Sequence, residues 1–291
     1  MAEPLYQIRG RQIREQDLSF IRDIISRHWE RGRTAISRVL CEHWDWRQPN
    51  GQFKGMACRA LLLKLEEKKL VNLPPPLSTT NHRKPRKAVR RSYSYDTSEI
   101  HGTVSEFGSL KIEMVRRTPD EGLWDHLVDN YHYLGRPRIV GAYLKYLAYL
   151  DGHLVACLGW GSAAWKVECR DRFIGWQPRT REANLYKVVN NVRFLILNWV
   201  SVEHLASKLL SANIRMLPGD WQAFYRHPVA LLETFVDTTR FQGTCYRAAN
   251  WVYAGLTKGR GRYDRYNRCM EPVKAVYLYP LGKRFREALH G

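Results

Sequence analysis

Apolar residues recur at helical spacing in three stretches near the start of the chain. Asp17–Ile25 carries the first such stripe, with Leu18, Ile21, Ile24 and Ile25 on one side. Arg33–Cys41 predicts a second short helix that starts near Arg33 or Thr34, and Met56–Glu66 predicts a third that stops near Lys68 and Lys69. Between them, Trp44–Gly51 is rich in turn formers. Leu70–Leu73 then reads as a short strand. Helix, helix, turn, helix, strand over residues 11–73 is the order of a winged-helix or helix-turn-helix reader, in which Lys54, Arg59 and Lys64 would face a groove. A plain helical bundle with solvated lysines and arginines fits the same pattern.

The periodicity lapses over residues 74–105, which read as a linker. Three consecutive prolines, Pro74–Pro76, stiffen its start. The basic run Arg83, Lys84, Arg86, Lys87, Arg90 and Arg91 follows, either as a solvated tether or as a source of phosphate contacts. From residue 106 to 291 the pattern becomes mixed α/β. Strands are predicted at Leu110–Val115, Tyr143–Leu150, His153–Trp160, Lys187–Ile196, Val229–Val236 and Val273–Tyr279, with helices at Glu121–Tyr133, 201–215 and from Gly243 to Trp251. Asp151-Gly152 is a strong hairpin signal between two of those strands.

Composition narrows the function classes. A net charge of +19 favours a polyanionic partner, with nucleic acid and anionic membrane the two usual candidates. No run of about 18 apolar residues exists, so no membrane span is expected. The polar start, Met1 to Asp17, has no apolar signal core, and a cytoplasmic location is expected. Six scattered cysteines with no CxxC pair read as reduced thiols. Sixteen tyrosines and ten tryptophans suit base stacking, although most are expected in the core.

The order strand, helix, hairpin, strand, helix, strand, helix, strand resembles the GNAT acyltransferase fold. The segments Ala206–Ser211, Leu232–Asp237, Gly243–Trp251 and Thr257–Arg262 are similar to the DruA family of Druantia anti-phage systems. Cys41–Trp46, Met56–Arg59 and Ala275–Leu281 fit the same family. The resemblance implies bacterial defence against phage, with other defence proteins as partners, or an origin near transposases. It supplies no firmly assigned reaction. The fold expected is therefore a helical, winged-helix-like module followed by a GNAT-like mixed sheet with flanking helices. Acetyl-CoA is not expected. Its pyrophosphate needs a glycine-rich turn at a helix start, whereas Leu197–Glu203 has no glycine and places Trp199 and Glu203 there.

Glu233, Asp237, Tyr246 and Asn250 form the leading catalytic candidate set. Glu233 lies in an otherwise apolar strand, where a carboxylate needs a partner. It would serve as a general base or bind Mg2+ or Mn2+ with Asp237, four residues along the same strand face. Alternatively it pairs with a core arginine such as Arg193. Tyr246 would be an acid, base or nucleophile, or a packed ring; Cys245 reads as a buried small residue more readily than as a nucleophile. The stretch Thr257–Arg268 offers Lys258, Arg260, Arg262, Arg265 and Arg268 around glycines, as a phosphate loop or a solvated one, and Arg247 adds a further cation. The GxxxxGK[ST] pattern is absent, which argues against nucleotide hydrolysis. Tyr131-His132-Tyr133 is a substrate-contact candidate or a packed cluster. Cys41, His43 and Cys58 do not have zinc spacing. Three readings result: a DNA-binding defence protein, a metal-dependent DNA nicking or strand-transfer enzyme, and a nucleobase acyltransferase.

Overall fold

The computed structural model describes residues 6–8, 11–48, 51–76, 92–137, 139–259 and 272–291. The chain divides into two compact units, Met1–Arg91 and Ser92–Gly291.

The first unit opens with a short hairpin, β1 (Tyr6–Ile8) and β2 (Arg11–Ile13). Three helices follow: α1 (Glu15–Arg27), α2 (Gly32–His43) and α3 (Gly55–Glu67). Each helix buries the stripe that its spacing marks out. Leu18, Ile21, Ile24 and Ile25 of α1 meet Ile36 and Leu40 of α2 and Leu61, Leu62 and Leu65 of α3 in one core. Each such side chain contributes roughly 1.5–3 kcal/mol of burial. The strand expected at Leu70–Leu73 is not formed. Lys69 takes a left-handed conformation (φ 58°), and the Leu70 carbonyl accepts two hydrogen bonds from the Arg22 guanidinium, at 3.0 and 2.8 Å. Glu66 accepts the Leu73 N–H. Side chains thus satisfy this backbone in place of a partner strand, while Val71 and Leu73 enter the core.

The second unit begins inside the expected linker. There β3 (Ile100–Thr103) forms an ordered strand, because Ile100 is buried and its N–H donates to the Trp199 carbonyl. The body then runs β4 (Leu110–Met114), α4 (Glu121–Tyr131), β5 (Tyr143–Leu150), β6 (His153–Ser162), α5 (Glu168–Ile174), α6 (Pro178–Asn184), β7 (Val188–Ile196) and β8 (Val200–Glu203). It continues with α7 (Leu205–Tyr225), β9 (Leu231–Asp237), α8 (Thr244–Ala248), β10 (Val252–Leu256), β11 (Lys274–Pro280) and α9 (Phe285–His290). The strand and helix order expected for the body is present, with α5, α6, β8, β10 and α9 as elements that the apolar pattern did not predict. The helix expected at 201–215 starts at Leu205 and reaches Tyr225, because Val200–Glu203 instead pairs in parallel with β3.

Among the described residues, seven strands make one sheet in the order β10-β11-β9-β7-β6-β5-β4. Every neighbouring pair is antiparallel except β7 and β9. On one face α7 lays Leu205, Leu209, Ile214, Leu217 and Trp221 against Tyr146, Leu158, Trp160 and Leu232. On the other face α4 covers Leu147, Cys157 and Leu195 with Trp124, Leu127 and Val128. Over β9 and β11 that second face is covered by Ile174 of α5 and by Phe285 and Leu289 of α9. A sheet with both faces covered explains why its inner strands read as almost continuous apolar runs. Among the described residues, no helix is long and apolar enough to cross a membrane.

Candidate functional site

Strand β9 turns Leu232, Thr234 and Val236 toward α7, and so Glu233, Phe235 and Asp237 toward the opposite face. Glu233 is fully buried. Its Oε1 accepts the Ala164 N–H at 2.8 Å, and its Oε2 accepts Arg170 Nη1 at 2.8 Å. Arg170, equally buried, comes from α5 and also bonds the Ala164 carbonyl (2.7 Å) and the Asp171 carboxylate (2.9 and 2.7 Å). Arg181 of α6 reaches the other oxygen of Asp171 at 3.2 Å. The core arginine that neutralises Glu233 is therefore Arg170, not Arg193. This network ties α5 and α6 to the sheet away from solvent.

Asp237, four residues on, has separate partners. Its Oδ1 accepts the Thr239 hydroxyl (2.7 Å) and the Thr239 N–H (3.1 Å). The hydroxyl bond leads the causes that hold this carboxyl below its ordinary range, and nearby Lys274 and Arg240 act in the same direction. Among the described residues, Glu233 and Asp237 share no bonding partner. Among the described residues, no three His, Cys, Asp or Glu side chains come together as a metal site would require.

On the α7 face lies a fork between two strands. β7 and β9 pair only from Val188/Leu231 to Asn191/Thr234, and the rest of each strand runs on without the other. Tyr246 stands at that fork. Gly243, at φ 70°, starts the turn that aims it there, and a Cβ on Gly243 would stand 2.6 Å from the Tyr277 hydroxyl. The Tyr246 ring stacks on Tyr277 and meets Trp251 edge-on. Its hydroxyl donates to Asn191 Oδ1 at 2.8 Å and accepts from the Thr234 hydroxyl at 3.4 Å. Burial pushes the phenol well above its ordinary range, and burial likewise raises the Cys245 thiol. Both are thus neutral at neutral pH. Tyr246 and Glu233 serve opposite faces of the sheet. Asn250, in a left-handed turn (φ 63°), lines a shallow groove with Arg215, Tyr279 and Lys283. The four residues expected to act together are not assembled into one constellation.

Beside the fork, the end of α4 brings in the Tyr131-His132-Tyr133 stretch. His132 Nδ1 accepts the Leu134 N–H at 3.1 Å. Burial, with Arg193 nearby, pulls the imidazole down from 6.5 to about 4, so it is neutral at physiological pH. Arg193 of β7 donates to the carbonyls of Gly135 (2.8 Å), Val192 (2.7 Å) and Leu134 (3.5 Å). Among the described residues, no carboxylate bonds it. Arg240 and Phe241 complete this corner. Sequence reasoning did not single them out, because an Arg-Phe pair after a strand has no signature beyond its composition.

Arg59, half-buried on α3, turns Nη2 onto the Met56 sulfur, while Lys64 is exposed on the same helix. Arg247 is exposed on α8, and Lys258 pairs with Glu168. Arg83, Lys84, Arg86, Lys87, Arg90, Arg91, Arg260, Arg262, Arg265 and Arg268 lie outside the described residues. Cys41 and Cys58 are buried thiols, and the His43 ring packs on Phe20 at 4.1 Å.

The family described as Druantia protein DruA matches residues 64–275. Several solved structures are similar to part of the chain. One is an N-acetyltransferase from Staphylococcus aureus Mu50, at 10% identity over 60% of this chain and 98% of that one, with a TM-score of 0.36. The aminoglycoside acetyltransferase AAC(6')-Ib in complex with coenzyme A matches at 14% identity over 62% and 98%, with a TM-score of 0.38. The ribosomal-protein-S18-alanine N-acetyltransferase from Escherichia coli matches at 11% identity over 60% and 95%, with a TM-score of 0.37. No curated protein matches the sequence.

Proposed function

The chain belongs to the DruA family of Druantia anti-phage systems, and from that premise we propose that it acts in bacterial defence by binding DNA through its cationic surface. The carrying observation is the charge. Lys and Arg outnumber Asp and Glu by 47 to 28 over the whole chain. Duplex and single-stranded DNA both hold a condensed counterion layer, and each phosphate neutralised by a lysine or arginine releases part of it. A chain with this surplus gains affinity from that release without reading any sequence. Base-specific contacts from the α3 side of the first unit are the finer part of the proposal, with Arg59 and Lys64 as the residues concerned.

The geometry favours binding over hydrolysis at Glu233. Its charge is already balanced by Arg170 inside the fold, whereas a catalytic base or metal ligand needs a route to substrate. The test is the affinity of the full chain for labelled DNA measured across a salt series. A protein with six to ten phosphate contacts is expected to lose roughly 10³–10⁵ in affinity between about 50 and 200 mM salt. A flat salt response, or no binding at low salt, overturns the reading.

A further inference from the structure

Two large aromatic rings stand in the open beside the fork. Phe241 is 50% exposed and Tyr133 39% exposed, and their centroids lie 5.5 Å apart at 57°. The Arg240 guanidinium rests over the Tyr133 ring at 4.5 Å. Tyr133 is braced from its own chain by His132, stacked at 4.8 Å and 26°. His132 is in turn fixed by the Leu134 N–H. Exposed rings held this firmly lose little side-chain freedom when something lands on them.

Positive charge outnumbers negative at this corner: Arg193 and Arg240 stand near the Tyr133 ring, with the ionised Asp237 as the acid acting on it. Arg193 is half-buried beside the same corner and has only carbonyl oxygens as partners among the described residues. The nearest acid on the strand, Asp237, is engaged by Thr239. Arg240 itself is exposed and has no carboxylate partner among the described residues. A partly desolvated positive charge next to open π faces suits an anion that carries a flat ring.

We propose that this corner holds one unpaired nucleotide of a DNA strand, with its base on Phe241, beside Tyr133, and its phosphate on Arg240. The inference rests on the DNA-binding reading and adds strand form to it. A base inside a duplex has its faces covered by its neighbours, so an aromatic shelf rewards only an unstacked base. Arg193 adds to the positive field without needing to touch the ligand.

The experiment compares full-length protein and variants on a labelled oligothymidylate and on a labelled blunt duplex of equal length. Phe241→Ala is expected to weaken oligothymidylate binding roughly tenfold or more, with duplex binding changed less than about twofold. Arg240→Ala is expected to weaken it and to flatten its salt slope by about 0.7. Phe241→Trp keeps the shelf, and quenching beyond that of wild type, with its ten native tryptophans, reports a base stacked on the new indole. This variant also provides a readout if the alanine variant folds poorly. Equal losses on both DNA forms, or none, together with no quenching beyond that of wild type, overturn the inference and leave DNA binding standing. If the wild-type chain binds neither DNA, both readings fall.

Discussion

Arg170 and Glu233 oppose each other with their side chains wholly inside the fold. A buried pair of this kind adds little net stability, but removing one member is costly because the other charge is stranded. Arg170→Met leaves Glu233 with only the Ala164 N–H, and is expected to cost about 3–5 kcal/mol in urea denaturation. Glu233→Gln should cost less, since Arg170 keeps Asp171. It should also leave DNA affinity within about twofold of wild type; a larger loss in the folded variant would show Glu233 to be more than a structural ion. The sequence announced that Glu233 needed a partner, but not which one. Arg170 lies 63 residues earlier in a short helix without a clear apolar stripe, so only the tertiary fold names it. His132 makes a second test at this scale. The folded state resists its protonation down to about pH 4, while an unperturbed imidazole takes the proton near 6.5. Its contribution is therefore fully present above about pH 6.5, declines as pH falls through that window, and levels off below about pH 4. The difference in Tm between wild type and His132→Gln, followed from neutral to acid pH, should trace that curve.

Long elements with a strict period were legible. The strand Tyr143–Leu150 is found at the bounds its pattern gave, and Asp151 and Gly152 both take positive φ (46° and 85°), as a tight hairpin requires. Short elements were not. β3 and β8 are four residues each and stabilise one another across about 100 positions of sequence, so neither has a local signal. The strand expected after α3 failed for the converse reason: its apolar residues Val71 and Leu73 do enter the core, but Arg22 and Glu66 took the backbone groups that a neighbouring strand would have used. At the fork, the Gly243–Trp251 segment read as one helix, whereas only Thr244–Ala248 is helical and a left-handed Asn250 turns Trp251 inward. Gly243→Ala is expected to destabilise by about 1–3 kcal/mol, since the left-handed backbone and the Tyr277 hydroxyl both resist a Cβ. Chemical denaturation measures the cost. A shift in near-ultraviolet circular dichroism would report the displaced Tyr246 and Trp251 rings.

Across the whole molecule, charge was the most readable property and geometry the least. Residues 1–91 hold 20 lysines and arginines against nine acids, and six of those cations fall between Arg83 and Arg91. Replacing those six by glutamine is expected to flatten the dependence of DNA affinity on salt by up to about 5 in the log–log slope. An unchanged slope would move the phosphate contacts elsewhere. The pairing of β3 with β8 has a mechanical consequence as well. Chain entering the body from its N-terminal side is fastened by four parallel rungs just ahead of α7, the longest helix of the body. Tension arriving along that chain would load those rungs in shear before it reached the seven-stranded sheet.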